Sequence, residues 1–362
     1  MPAPLRGTSA TAALFALAIL LAAWTAGCGG KNSPMQPGVT RPYLGLTANL
    51  APSEASSYLT VLSRVRSSGA DMQYVSLQWD TFAPDPGPID ASSVRALVDG
   101  LEGLFGYAVY LNLATIDTNN DRRPLYLRAR AWDDPVVEAR LDSTIDALVS
   151  ALQHPTPRPL IAFAIGNEVD AYLSAHPSER LAYERLLAHE YAHFHAVLPG
   201  TPVGVSTISP MNSPDAAIAD SIQALGDLVI YTYYPFQGGS DFVHRPTTTL
   251  EPDFDAMSVR AGAKPWALQE VGYTSSPVNG SSGAAQADFV RRFRARIGRE
   301  SRDRLLFANW FLYTDFSSTL VQQLTGYYGF TSPGFVAYLG NLGLRDSLGG
   351  DKPAWAAWKQ GP

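Results

Sequence analysis

Apolar residues along the chain fall into two alternating patterns. Short, nearly continuous runs read as buried strands, and each is followed by a longer segment with helical spacing. The runs cover residues 43–47, 73–79, 107–116, 160–166, 203–206, 228–233, 265–270 and 305–311. Helices are predicted around 54–67, 91–104, 179–197, 215–225 and 254–260. The clearest carries Val137, Leu141, Ile145, Leu148 and Leu152 at steps of three and four. Another carries Phe289, Phe293 and Ile297. After the eighth run the chain is irregular until a last helix near the C-terminus.

Eight strand–helix units within about 320 residues is the count of a (β/α)8 TIM barrel. The expected fold is therefore α/β, one barrel domain over residues 42–360. Near-continuous apolar runs suit parallel strands covered by helices. A doubly wound sheet shares the alternation but usually has fewer strands. The segment after the first run, Ala48-Asn49-Leu50-Ala51-Pro52, cannot serve as a phosphate loop.

The N-terminus belongs to neither pattern. Arg6 precedes an almost wholly apolar stretch over 10–27, which reads as a secretory signal. It ends in Thr25-Ala26-Gly27-Cys28, which resembles a bacterial lipoprotein lipobox. The resemblance implies a signal peptide over 1–27, a lipid on Cys28, and export to a membrane facing the periplasm or cell exterior. Residues 28–41 are then a flexible polar tether.

Composition narrows the function classes. With 46% hydrophobic and 17% charged residues, the chain is not intrinsically disordered. A net charge of −6 argues against a nucleic-acid partner. A single cysteine excludes an internal disulfide framework and any multi-Cys metal site. The aromatic content of 11% fits a neutral ligand such as a sugar.

A barrel places its chemistry at the C-terminal ends of its strands. Run four ends Gly166-Asn167-Glu168 and run seven ends Gln269-Glu270. These two ends face one another across the mouth. Glycoside hydrolysis needs such a pair: one carboxyl protonates the leaving oxygen, the other attacks or activates water. A retaining enzyme would hold them about 5–5.5 Å apart.

These motifs resemble clan A glycoside hydrolases. Within that clan, Tyr233-Tyr234-Pro235-Phe236 and Glu270-Val271-Gly272-Tyr273 look closest to the endo-β-1,4-galactanases. The resemblance implies that Glu168 is the acid/base, protonated at working pH, and Glu270 the ionised nucleophile. It implies that Asn167 bonds the sugar 2-hydroxyl. Tyr233 matches the tyrosine that bonds the nucleophile, with Tyr234 competing, because alternation turns only one of them inward. Trp310 would be a sugar platform and Trp79 a second. Many clan members carry an Arg near the end of strand two. Here the segment is Ser76-Leu77-Gln78-Trp79-Asp80, and Gln78 would donate a neutral hydrogen bond in its place. Asp80, Asp117, Asp170 and Asp315 also follow strand ends and are expected to cap loops or bind substrate.

His189-Glu190-Tyr191-Ala192-His193 matches the H-E-x-x-H zinc signature. Leu187, Tyr191, Phe194 and Leu198 form the apolar stripe of that helix, and the two His fall about 200° and 240° from Leu187. They should face solvent. His195, Asp215 and Asp220 are the available third ligands. The expected function is a monomeric retaining glycosidase without cofactor or metal, acting on a β-linked poly- or oligosaccharide. The alternatives are a barrel that binds carbohydrate without cleaving it and, behind that, a zinc hydrolase.

Overall fold

The computed structural model describes residues 41–51, 57–239 and 241–361. The signal sequence, Cys28 and the tether up to residue 40 lie outside the described residues. No helix among the described residues is long and apolar enough to cross a membrane.

Eight parallel strands close into a barrel. They are β1 (Tyr43–Leu46), β2 (Met72–Gln78), β3 (Ala108–Asp117), β4 (Leu160–Asn167), β5 (Val203–Ile208), β6 (Leu228–Tyr233), β7 (Trp266–Val271) and β8 (Leu305–Trp310). Each pairs with its sequence neighbour, and β1 closes the ring on β8 from Tyr43↔Phe307 to Leu46↔Trp310. The described chain is thus a single (β/α)8 barrel. All eight expected strands are present, with ends shifted by a residue or two.

The outer ring contains α1 (Tyr58–Ser67), α2 (Ser92–Phe105), α3 (Pro135–Gln153), α4 (Val169–Ala175), α5 (Arg180–Val197), α6 (Ala216–Gln223), α7 (Leu250–Ala261), α8 (Gly283–Ile297) and the C-terminal Pro353–Gln360. Helix α3 shows why such segments fold. Asp134 caps it by accepting from the Val136 N–H, and Pro135 fits its first turn. The five apolar positions read from spacing are all buried, each worth roughly 1.5–3 kcal/mol of transfer free energy.

The region after β8 departs from expectation. It holds two helices, α9 (Ser318–Tyr328) and α10 (Pro333–Leu339), capped by Ser317 and Ser332. Gly329, at φ 73°, ends the first in a left-handed turn. The first carries Leu320, Val321, Leu324 and Tyr328 at helical spacing, and only the second, of 7 residues, is too short to show a period. With Tyr234 and Leu342 they form a small apolar cluster over the barrel mouth.

Alternation along each strand divides the core. Met72, Tyr110, Ala164, Leu228, Ile230, Ala267 and Phe307 fill the barrel interior. Val229, Tyr231, Tyr233, Leu268, Ala308 and Trp310 point outward against the helices. This division decides which strand-end residues reach the mouth.

Candidate active site

A cavity of about 330 Å³ opens at the C-terminal mouth, with Asn167, Glu168, Glu270, Asp117 and Tyr234 in its wall. Strand β4 delivers Glu168 through a tight turn. Gly166 sits at φ 101° and Glu168 itself at φ 47°. The left-handed region costs a non-glycine residue of order 1–3 kcal/mol, so the packing around Glu168 must hold it there. A side chain at 166 has no room, because its Cβ would lie 2.5 Å from Val169 and 2.6 Å from the Tyr183 hydroxyl. The Glu168 carboxyl accepts from Thr232 at 2.5 Å and from Thr118 at 2.8 Å.

Strand β7 delivers Glu270 through a bulge. Its pairing with β6 steps from Tyr231↔Leu268 to Thr232↔Glu270, leaving Gln269 as the extra residue. Gln269 is buried, accepts from the Tyr110 hydroxyl at 2.6 Å and donates to Asn167 at 2.6 Å. Asn167 in turn donates to Asp117 at 2.9 Å. Its second N–H has no bond in this chain of contacts. Glu270 accepts from the Tyr234 hydroxyl at 2.7 Å.

Burial raises the pKa of both carboxyls. The charge on Glu168 raises Glu270 further, while hydroxyl donors pull each part of the way back. Two carboxyls lining one cavity titrate as a pair, so the last proton leaves above the usual carboxylate range. The phenol of Tyr234 is the better donor and favours charge on Glu270. The threonine hydroxyls can rotate to accept a proton from Glu168.

Several expected site residues lie elsewhere. Tyr233 points outward, donates to Asp253 at 2.7 Å and stacks on Phe289, so Tyr234 alone meets the nucleophile position. Trp310 is fully buried on the outer face between Phe289 and Phe293. Phe311, one residue on, takes the place at the mouth. Trp79 is also buried behind the barrel, where its indole donates to Thr144 at 3.1 Å. Gln78 donates to Asp117 at 3.2 Å and not to Glu270.

The aspartates divide. Asp117 lines the cavity and accepts from Tyr327 at 2.6 Å. Asp170 lies beneath Glu168. It accepts from Ser213 and the Ile208 N–H, and burial pushes it up to about 7. Asp80 pairs with Arg122 and Arg128, and Asp315 with Lys352, so both fasten loops. Thr118, Thr232, Tyr74 and Ser76 also reach the cavity without having been expected there. Three of them follow from alternation: 74 and 76 share the inward face of β2 with Met72, and 232 that of β6 with Ile230.

The H-E-x-x-H segment lies on α5, on the flank of the barrel, and none of it lines the cavity. His189 contacts Asp142 at 3.1 Å and His193 contacts Asp146 at 2.9 Å, both on exposed edges. Glu190 is buried against Asp142. Asp142, His189 and Glu190 bring ligand atoms within 4.8 Å of one another, but away from the mouth. The expected third ligands are engaged elsewhere: His195 with Asp227, Asp220 with Arg260, and Asp215 as the cap of α6.

The fold and the mouth define a (β/α)8 barrel carrying two carboxyls at the ends of its fourth and seventh strands. No protein family and no curated protein matches the sequence. Solved structures match the fold. One is a GH5_18 protein from Streptomyces cattleya in complex with Manβ1-4GlcNAc, with TM-score 0.66 and 19% identity over 88% of this chain and 79% of that one. A GH5_18 protein from Bifidobacterium longum, with the same ligand, has TM-score 0.67 and 17% identity over 88% and 77%. An exo-β-1,4-mannosidase from an Opitutaceae bacterium has TM-score 0.62 and 17% identity over 88% and 58%. At these identities the likeness is one of fold.

Proposed function

We propose that this protein is a retaining β-glycoside hydrolase with Glu168 as acid/base and Glu270 as nucleophile. The observation that carries the reading is the carboxyl pair: both line one cavity at the mouth, each held by hydroxyl donors, with the charge of Glu168 raising Glu270's affinity for a proton and that of Asp117 raising Glu168's. In the first step Glu168 gives its proton to the glycosidic oxygen as the C1–O bond breaks, and Glu270 bonds to C1. In the second, the Glu168 carboxylate takes a proton from water, whose oxygen displaces Glu270. The free N–H of Asn167 is available for a sugar hydroxyl beside C1. Tyr234 supplies the donor to Glu270 that the missing strand-two arginine leaves open.

Matching folds that hold Manβ1-4GlcNAc make β-mannosides the first substrates to test. The galactanase-like segments at 233–236 and 270–273 make β-1,4-galactan the second. Proton NMR of the earliest product checks the mechanism. A β-glycoside should release the β-anomer first. Release of the α-anomer would overturn the double displacement, and no hydrolysis across a panel of β-glycosides would overturn the function. Anchoring through a lipid on Cys28 belongs to the same reading. Radiolabelled palmitate should be incorporated into the parent and not into Cys28→Ser, and equal labelling of the two, or none of the parent, would refute it.

A further inference from the structure

The cavity has two unlike halves. On the side of β2, β3 and β4 it presents Tyr74, Ser76, Asp117 and Asn167. Across the mouth stands an aromatic wall from the segments after β6 and β8: Phe236, Phe242, Phe311, Phe316, Phe330 and, on α10, Phe335, with Tyr328 and Tyr338 packed among them. The wall is continuous. Phe242 touches Phe236, Phe330 and Phe335 at ring distances of 5.2, 6.4 and 5.0 Å. Phe311 and Phe316 meet at 6.1 Å, and Tyr234 joins the two groups. Phe330 keeps 46% of its surface exposed at the rim. None of the described tryptophans lines this cavity.

A phenylalanine ring offers a sugar hydroxyl no hydrogen-bond partner. A hydroxyl pressed on one of these six rings would give up its bonds to water and gain none. Of the two parts of a glycoside, only the aglycone can lack hydroxyls. The polar half therefore suits the sugar and the phenylalanine wall suits the leaving group. The volume, about 330 Å³, lies near the lower end for ligand pockets and suits a short molecule rather than a polymer. Loops after barrel strands are where such specificity is set.

We propose that the substrate is a short β-glycoside whose aglycone is an apolar alkyl or aryl group. The proposal rests on the hydrolase reading and specifies its substrate class. The test compares octyl with methyl β-D-glucopyranoside, -galactopyranoside and -mannopyranoside, below the micellar concentration, and with the corresponding β-1,4-linked disaccharides. Octyl and methyl alcohols are leaving groups of similar chemistry, so the comparison reads the wall and not the bond. Burying three methylenes is worth roughly 50-fold. The octyl compound of the preferred sugar should exceed the methyl compound in kcat/KM by at least that factor, and should exceed the disaccharide. Phe330→Asn at the exposed rim and Phe242→Asn within the wall should each lower the octyl-to-methyl ratio. Equal rates, or preference for the disaccharide, would overturn the aglycone site while leaving the hydrolase standing. If no glycoside is cleaved, the hydrolase reading fails and binding decides the proposal: octyl 1-thio-β-glycosides should still bind at least about 50-fold tighter than methyl ones by calorimetry, and equal binding would end it.

Discussion

A Glu270→Gln protein is expected to lose at least about 1,000-fold in kcat on any β-glycoside the parent cleaves, about 4 kcal/mol of transition-state stabilisation. The amide keeps the shape of the carboxyl and its contact with Tyr234 but cannot bond to C1. The substitution also removes the charge that faces Glu168. The pKa of Glu168 should therefore fall toward its ordinary range, which NMR titration of the variant can follow. In the parent, activity needs Glu270 ionised and Glu168 protonated. Burial raises both, so both limbs of the bell-shaped pH profile should lie above the ordinary carboxylate range near 4.3. Tyr234→Phe removes a donor to the charged form of Glu270, so the acid limb should move further up and kcat should fall. Tyr233→Phe alters only a bond to Asp253 behind the barrel. It should cost about 1 kcal/mol of stability and leave the pH profile in place. A Glu270→Gln enzyme with undiminished kcat would assign the nucleophile elsewhere.

The contrast between those two tyrosines shows how much of the site is legible in sequence. The eight apolar runs mark the strands, and their ends mark Glu168 and Glu270, because burial gives way to polarity where a strand leaves the barrel. Facing is harder to read. Alternation from Ile230 places Thr232 and Tyr234 inward and Tyr233 outward. The same count from Phe307 places Trp310 outward and Phe311 at the mouth. That signal is in the sequence, but a resemblance aligned on residue type points to the neighbour on the wrong face. The bulge at Gln269 is different in kind. It breaks the period of two and turns consecutive residues toward the site, and nothing local in Leu268-Gln269-Glu270 announces it. The phenylalanine wall is least legible. Its phenylalanines come from loops and, for Phe335, one 7-residue helix, and only the closed fold brings them together.

The largest effect on stability is expected far from the mouth, at the Glu of the zinc-like motif. Glu190 is fully buried on α5, and neither carboxyl oxygen has a hydrogen-bond donor. Burial, and then the charges of Asp142, Glu138 and Asp146, push its pKa up to about 10. The folded protein thus keeps this proton through neutral pH, whereas the unfolded chain releases it above an ordinary value near 4.5. The unfolded state binds fewer protons throughout that window, so stability falls as pH rises from about 4.5 toward about 10. Glu190→Gln removes the dependence, because an amide stays neutral and can donate to Asp142. The variant should be more stable than the parent by roughly 2 kcal/mol or more at pH 8 and nearly equal to it at pH 4, as read by denaturant unfolding at both. Activity should be unchanged, since the motif does not line the cavity. A variant less stable than the parent at pH 8 would mean that Glu190 is ionised in the folded protein. An ionised Glu190 beside Asp142 needs a cation, and chelation of the parent would then reproduce the loss.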